Sequence, residues 1–214
     1  HKIKSKVKQL DDFKNYLLNS EFTFNKGPKL KILHISQFDD RNDYRLFNIS
    51  ISSKLSKGFI RNGHDVINFS YRNFLNKNVL KDRNETINQK VLDISSNYKP
   101  DLVILGHNNF LYQQNIELLK SKYNSKICLW YEDALGKRGD GPQWRENLNL
   151  IEKNNQQIDS YFTTTHPDEI YTTIKKNKLN HLPIPVDENI ENLKLYENKI
   201  NYKDLFFALS HGVN

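Results

Sequence analysis

The residues best suited to chemistry fall into two short clusters, each placed just beyond an apolar run. The first, Gln37-Phe38-Asp39-Asp40-Arg41-Asn42-Asp43, sets three carboxylates beside one guanidinium in a turn without glycine. Three carboxylates repel a phosphate, so a neutral hydroxylated acceptor, hydrogen-bonded by Asp39 or Asp40, suits this turn better. Either carboxylate is a candidate general base toward a sugar hydroxyl if its pKa is raised, with Gln37 and Arg41 as substrate-binding candidates beside it. Asp43, just before Tyr44, has the chemistry of a helix N-cap. The second cluster is Trp130-Tyr131-Glu132-Asp133 followed by Gly136-Lys137-Arg138-Gly139-Asp140-Gly141, which holds three of the chain's eight glycines. Glycine permits close backbone approach there, and Lys137 and Arg138 match a diphosphate or an acidic acceptor, with Asp133 in the same loop. A plain surface turn with solvated charges is the alternative. The aromatic pair reads mainly as core, although one ring could stack on a sugar.

His107, directly after Gly106 at a strand end, is a candidate base or hydrogen-bond donor. His166, before Pro167-Asp168-Glu169, reads as a helix start and as a substrate-binding candidate. His34 falls mid-strand, packed or hydrogen-bonded. His64, His181 and His211 lack ligand spacing, no Asp-x-Asp occurs, and no metal site is expected. The single cysteine, Cys128, lies inside an apolar run and reads as a small core residue.

These residues need a scaffold, and apolar periodicity supplies one. Leu30–Ser36 reads as a buried strand, and Phe47, Ile51, Leu55 and Phe59 place an apolar stripe on a helix from Tyr44. Gly63 fits the left-handed position past that helix, and Val66–Phe69 resumes strand composition. Further strands are expected at 101–106, 126–131, 160–165 and 179–186. Helices are expected around Val91–Ile94, closed by Lys99-Pro100, and at 114–122, 143–155 and 168–176. The expected fold is α/β: a Rossmann-like, doubly wound, mostly parallel sheet of about six strands with helices on both faces. Ligand chemistry then belongs at the C-terminal edge of the strands. Ile3, Val7, Leu10, Phe13 and Leu17 follow helical spacing, so residues 1–28 read as an N-terminal helix and linker.

Composition narrows the function classes. The formal charge of +7 is spread along the chain, which disfavours a dedicated nucleic-acid stripe. Mean hydropathy is -0.75 and no apolar run approaches a bilayer span. The expected location is cytoplasmic, with weak peripheral contact at the inner face of a membrane left open by the Lys2, Lys4, Lys6, Lys8 run. A first turn without Gly-x-Gly-x-x-Gly disfavours a dinucleotide cofactor, and no Walker lysine pattern occurs. The chain contains no methionine, so an excised fragment is expected.

Gly63-His64-Asp65-Val66 resembles the Gly-His-acid-Val junction frequent in GT-B glycosyltransferases, a family of two facing Rossmann-like domains. Trp130–Asp133, then Tyr161-Phe162-Thr163-Thr164-Thr165, then His181-Leu182-Pro183-Ile184-Pro185-Val186-Asp187 follow the order seen in CgeB-like (spore-maturation-type) glycosyltransferases. The resemblance covers roughly residues 30–214. It implies that residues 29–202 are the acceptor-side domain, the N-terminal half of a GT-B fold, and that 203–214 begin a truncated donor-binding domain. It further implies a metal-independent enzyme moving a sugar from a nucleotide sugar to a glycan, lipid or protein hydroxyl. The nucleotide sugar is then a co-substrate held mainly by the second domain, with no other cofactor, and this chain alone is expected to be inactive. The competing expectation is a non-catalytic Rossmann-like binding or interaction module.

Overall fold

Six short runs, apolar at the sheet's centre and more polar at its edges, form the strands of one sheet in the computed structural model, which describes residues 27–38, 50–75, 82–106, 111–137 and 143–187. They are β1 (Lys31–Ser36), β2 (Asp65–Ser70), β3 (Leu102–Gly106), β4 (Lys126–Tyr131), β5 (Ser160–Thr163) and β6 (Leu179–His181). Every neighbouring pair is parallel, in the order β2-β1-β3-β4-β5-β6. The connection from β1 steps outward to β2, and the chain then passes back over β1 to β3. That reversal makes the β1/β3 border the topological switch point, where ligands of such sheets bind beyond the strand ends.

Helices cover both faces. Helix α1 (Ile51–Arg61) packs Ile51, Leu55 and Phe59 on one face, against Ile32, Ile104 and Trp130. The opposite face carries α3 (Arg83–Tyr98), α4 (Gln113–Tyr123) and α5 (Gln143–Glu152), whose Ile87, Val91, Ile116, Leu119 and Ile151 meet Leu33, Leu105, Leu129 and Tyr161. A single turn, α2 (Arg72–Leu75), follows β2. Right-handed crossovers account for this split: one outward step places α1 on its face, and all later steps run the other way.

Local chemistry sets the element ends. Ser50 caps α1 by accepting from the Ser53 amide at 3.2 Å, so the described helix starts seven residues after Tyr44. Gly63, at φ 85°, takes the left-handed position expected of it, and Lys99 closes α3 at φ 51°. Asp101 and Asp159 each accept a backbone N–H of a neighbouring strand, from Lys31 and Ile127, both at 2.8 Å. They fix register at the N-terminal edge.

Two expected elements differ. Residues 168–176 form no α-helix; short 3₁₀ turns at Pro167–Glu169 and Lys176–Lys178 flank an irregular stretch. Its β-branched Ile170, Thr172, Thr173 and Ile174 have low helix propensity. Glu152, at the end of α5, then captures it: one carboxylate oxygen accepts from Thr172 Oγ1 at 2.5 Å and from the Thr173 amide at 2.8 Å. Glu152→Ala is expected to lower stability by about 1 kcal/mol, after screening of a part-exposed charge, read as a lower urea midpoint with unchanged m. Strand β6 stops at His181 instead of reaching Val186, because Pro183 and Pro185 cannot donate to a ladder.

The expected N-terminal helix, the turn at 39–49 and the expected start of a second domain at 203–214 lie outside the described residues. Among the described residues, no helix is long and apolar enough to cross a membrane.

Candidate functional site

At the switch point the β1 residues facing α1 change from apolar to polar. Ile32, His34 and Ser36 share that face, and the helix presents Ser52, Ser53 and Ser56 to it, all buried. Ser36 Oγ lies 2.6 Å from Ser52 Oγ, His34 Nδ1 lies 2.7 Å from Ser56 Oγ, and Ser56 donates to Asn68 Oδ1 at 2.7 Å. Because the Ser56 proton goes to Asn68, the Ser56 oxygen accepts from His34, which fixes the Nδ1–H tautomer. His34 Nε2 is then a buried lone pair without a partner. Burial lowers the His34 pKa to about 3, so the ring is neutral.

Gly106 ends β3 against this seam. A Cβ there would stand 2.7 Å from Ser36 Cβ and 3.4 Å from His34 Nε2, so only glycine fits. Beyond it, the Gln37 side-chain amide faces the Arg72 guanidinium of α2. Tyr71, beside Arg72, has its hydroxyl pKa raised to about 12 by burial, with Arg72 opposing and Glu132 reinforcing the shift. Gln37, Tyr71, Arg72 and Glu132 thus meet at the C-terminal edge. Arg72 was not foreseen, because the single helical turn that carries it leaves no periodic signal.

A second group forms beyond β4 and β5. Thr164 Oγ1 donates to the Glu132 carbonyl at 2.7 Å, and Thr165 Oγ1 accepts from the Leu135 amide at 3.1 Å. The threonine run therefore ties the two loops together. Gly136 sits so close to Glu169 that a Cβ would lie 3.2 Å from its carbonyl oxygen. Lys137, Asp168, Glu169 and Tyr171 line a cavity of about 460 Å³ at this junction. Tyr171 is 74% exposed, whereas Trp130 and Tyr131 are 3% and 2% exposed. The ring free to stack on a ligand is therefore Tyr171, and neither strand aromatic has that freedom. Burial, then Asp133 and Glu132, raises the Tyr131 hydroxyl pKa, so it stays protonated.

His166 caps the 3₁₀ turn, its Nδ1 accepting from the Asp168 amide at 3.3 Å, and its ring centroid lies 5.6 Å from that of His181. Lys176 Nζ lies 2.5 Å from Asp168 Oδ1, and this hydrogen bond, followed by the lysine charge, holds the Asp168 carboxyl below the usual carboxylate range. Asp168 is thereby an acceptor and not a proton carrier near neutral pH.

Of the residues singled out by sequence, Gln37 stands at the β1/β2 end of the edge, and Asp133, Lys137 and His166 stand at the β4/β5 end. Lys137 and His166 converge on the same 3₁₀ turn. Asp39, Asp40, Arg41, His107 and Arg138 lie outside the described residues. Cys128 is half-buried, and burial, with a smaller contribution from Asp159, pushes its thiol up to about 11. The thiolate that nucleophilic chemistry needs is thereby disfavoured near neutral pH. Among the described residues, no cluster of three His, Cys, Asp or Glu side chains could hold a metal ion.

The sheet and its crossovers define the fold. This is a Rossmann-like α/β domain.

No protein-family model matches the chain, and no curated protein matches its sequence. Solved structures that resemble it include two sugar-nucleotide epimerases. One is described as a UDP-N-acetylglucosamine 2-epimerase of Listeria monocytogenes, with 9% identity over 71% of this chain and 44% of that one, at a TM-score of 0.45. The other, a UDP-N-acetylglucosamine 2-epimerase, has 14% identity over 71% of this chain and 47% of that one, at a TM-score of 0.44. The chain spans less than half the length of either.

Proposed function

We propose that this is the acceptor-side, N-terminal domain of a metal-independent GT-B glycosyltransferase of the CgeB-like kind. The reading is carried by the cavity beyond β4 and β5, where the exposed Tyr171 ring stands with Lys137, Asp168 and Glu169. An aromatic face flanked by ionised acceptors and an ammonium donor suits a hydroxyl-rich saccharide, which needs stacking on its C–H face and hydrogen bonds at its rim. The ion-paired Asp168 accepts hydrogen bonds from hydroxyls, and Lys137 donates to a ring or carboxylate oxygen. Donor contacts then fall to a facing domain, in keeping with the nucleotide sugar as co-substrate.

Saturation-transfer NMR on the 214-residue chain with neutral oligosaccharides tests this reading. Saccharide signals are expected to saturate, and Tyr171→Ala to weaken binding about tenfold, the effect of truncating a ring worth ~1.4 kcal/mol. Equal binding by the variant, or sugar transfer from a nucleotide sugar by this chain alone, contradicts the proposal.

A further inference from the structure

The sheet face shared with α1 holds an apolar cavity of about 400 Å³ over β3, β4 and β5, floored by Ile104, Cys128, Trp130 and Phe162. Leu55 and Phe59 of α1 form one wall. The segment after β6 crosses this face as a strap. Its Leu182, Pro185 and Val186 line the cavity, and its buried Asp187 pairs with Arg61 at 2.7 Å and with Lys57 at 3.5 Å at the C-terminal end of α1. Ile184 and Val186 stay 55% and 76% exposed, so the strap covers the cavity loosely. Gly58 is the informative residue. It lies inside α1, where glycine is a poor helix former, and a Cβ there would meet nothing within 4 Å. No packing demand among the described residues calls for this glycine, yet a larger side chain would take up space in the cavity that Gly58 lines.

We propose that this cavity takes the aliphatic chain of the acceptor, which is then a lipid-linked saccharide, a proposal that rests on the saccharide reading of the Tyr171 cavity. The two cavities adjoin. Leu182 lines the apolar one, its neighbour His181 has its ring centroid 5.6 Å from that of His166, and His166 caps the turn whose Asp168 and Glu169 line the polar one. A ligand with its sugar against Tyr171 can therefore pass its chain beside the histidine pair onto Phe162 and Trp130. Capacity agrees. A methylene group fills roughly the 30 Å³ of a water molecule, so the cavity of about 400 Å³ holds about a dozen chain carbons. The lining also excludes a second sugar, because hydroxyls buried against Ile104, Phe162 and Val186 would lose water without finding acceptors.

Maltose, octyl maltoside and dodecyl maltoside, the last two below their micelle concentrations, probe the 214-residue chain. Affinity is expected to rise about fourfold for each methylene taken in, so dodecyl maltoside should bind at least about tenfold tighter than octyl maltoside. Cys128, the only cysteine, lies in the floor, and bound dodecyl maltoside should slow its reaction with a small maleimide about tenfold or more. Gly58→Phe fills the cavity from a better helix former and should bring the two alkyl maltosides within about threefold of each other, with maltose binding unchanged. If that variant loses its far-UV circular dichroism, Gly58→Leu carries the same expectation. Equal affinity of all three probes, or a chain-length gain that survives both Gly58 variants, overturns the lipid-linked acceptor. So does a Cys128 that already reacts slowly in the free chain and responds to no amphiphile, because another part of this chain or a second copy then fills the cavity. Failure of the saccharide reading looks different: dodecyl maltoside would still shield Cys128, but Tyr171→Ala would leave every affinity unchanged. A chain site without a sugar head overturns the lipid-linked acceptor together with that reading.

Discussion

Gly106→Ala is expected to destabilise the domain by about 3 kcal/mol, among the largest effects of any single substitution among its described residues. The reason is geometric. The new Cβ would stand 2.7 Å from Ser36 Cβ, an atom that no rotamer change can move, and Ser36 Oγ also lies in its way. Ser36 is itself held by Ser52 on α1 at 2.6 Å, so relief requires β1, β3 or the helix to shift. Urea unfolding of four proteins, wild type, Gly106→Ala, Ser36→Gly and the double variant, separates this clash from a general loss of β3. Ser36→Gly removes the obstructing atoms, so the double variant should be more stable than the sum of the single effects by about 1–2 kcal/mol. Additive losses would place the strain elsewhere. The test also bears on the site, because Gly106 and Ser36 form the floor of the switch point.

The central strands β1, β3 and β4 were legible because burial on both sides leaves an apolar run. Lys126–Tyr131 begins and ends where its composition does. Helix α1 was legible through Ile51, Leu55 and Phe59, yet its most buried face is Ser52, Ser53 and Ser56. Serine reads as solvent-facing in a hydropathy pattern. Only the joint spacing, His34 and Ser36 two apart on a strand with Ser52 and Ser56 four apart on a helix, carried a signal for this seam. The segment after β5 failed for a different reason. Its helical appearance rested on Pro167 and two acidic residues at a helix start, and those signals belong equally to a 3₁₀ turn. The partner that decided the outcome, Glu152, is twenty residues from Thr172 and invisible to local propensity. At the site, sequence placed Gln37, Asp133, Lys137 and His166 at the ligand edge through the ends of their strands. It missed Tyr171, which stands on irregular backbone, and Arg72, which a single helical turn carries.

Acid is expected to unfold this domain through His34, more steeply than its surface charges alone would allow. The ring is fully buried, its one shift arises from desolvation, and its pKa falls from 6.5 to about 3. In the unfolded chain the ring takes up a proton below pH 6.5, whereas the folded ring resists protonation down to about pH 3. The unfolded state therefore binds more protons throughout that window, and stability falls with falling pH. The contribution is complete above pH 6.5 and is lost progressively as pH drops toward 3, at about 1.4 kcal/mol per pH unit. Between pH 6.5 and 5 the loss should approach about 2 kcal/mol. His34→Gln isolates it, because the amide can still donate to Ser56 but cannot titrate. The variant should be less stable at pH 7.5 by about 1–2 kcal/mol, having lost shape complementarity with Phe38 and Phe59, whose rings meet the imidazole edge-on at 5.0 and 6.4 Å. That deficit should shrink as the pH falls, because only the wild type carries the titrating ring, so the two stability curves converge toward pH 5. Parallel curves would mean that His34 is not the buried neutral group. Nitrogen NMR gives an independent check: the Nδ1–H tautomer should persist unchanged to pH 4.5, since a proton on Nε2 would find no acceptor beside Gly106.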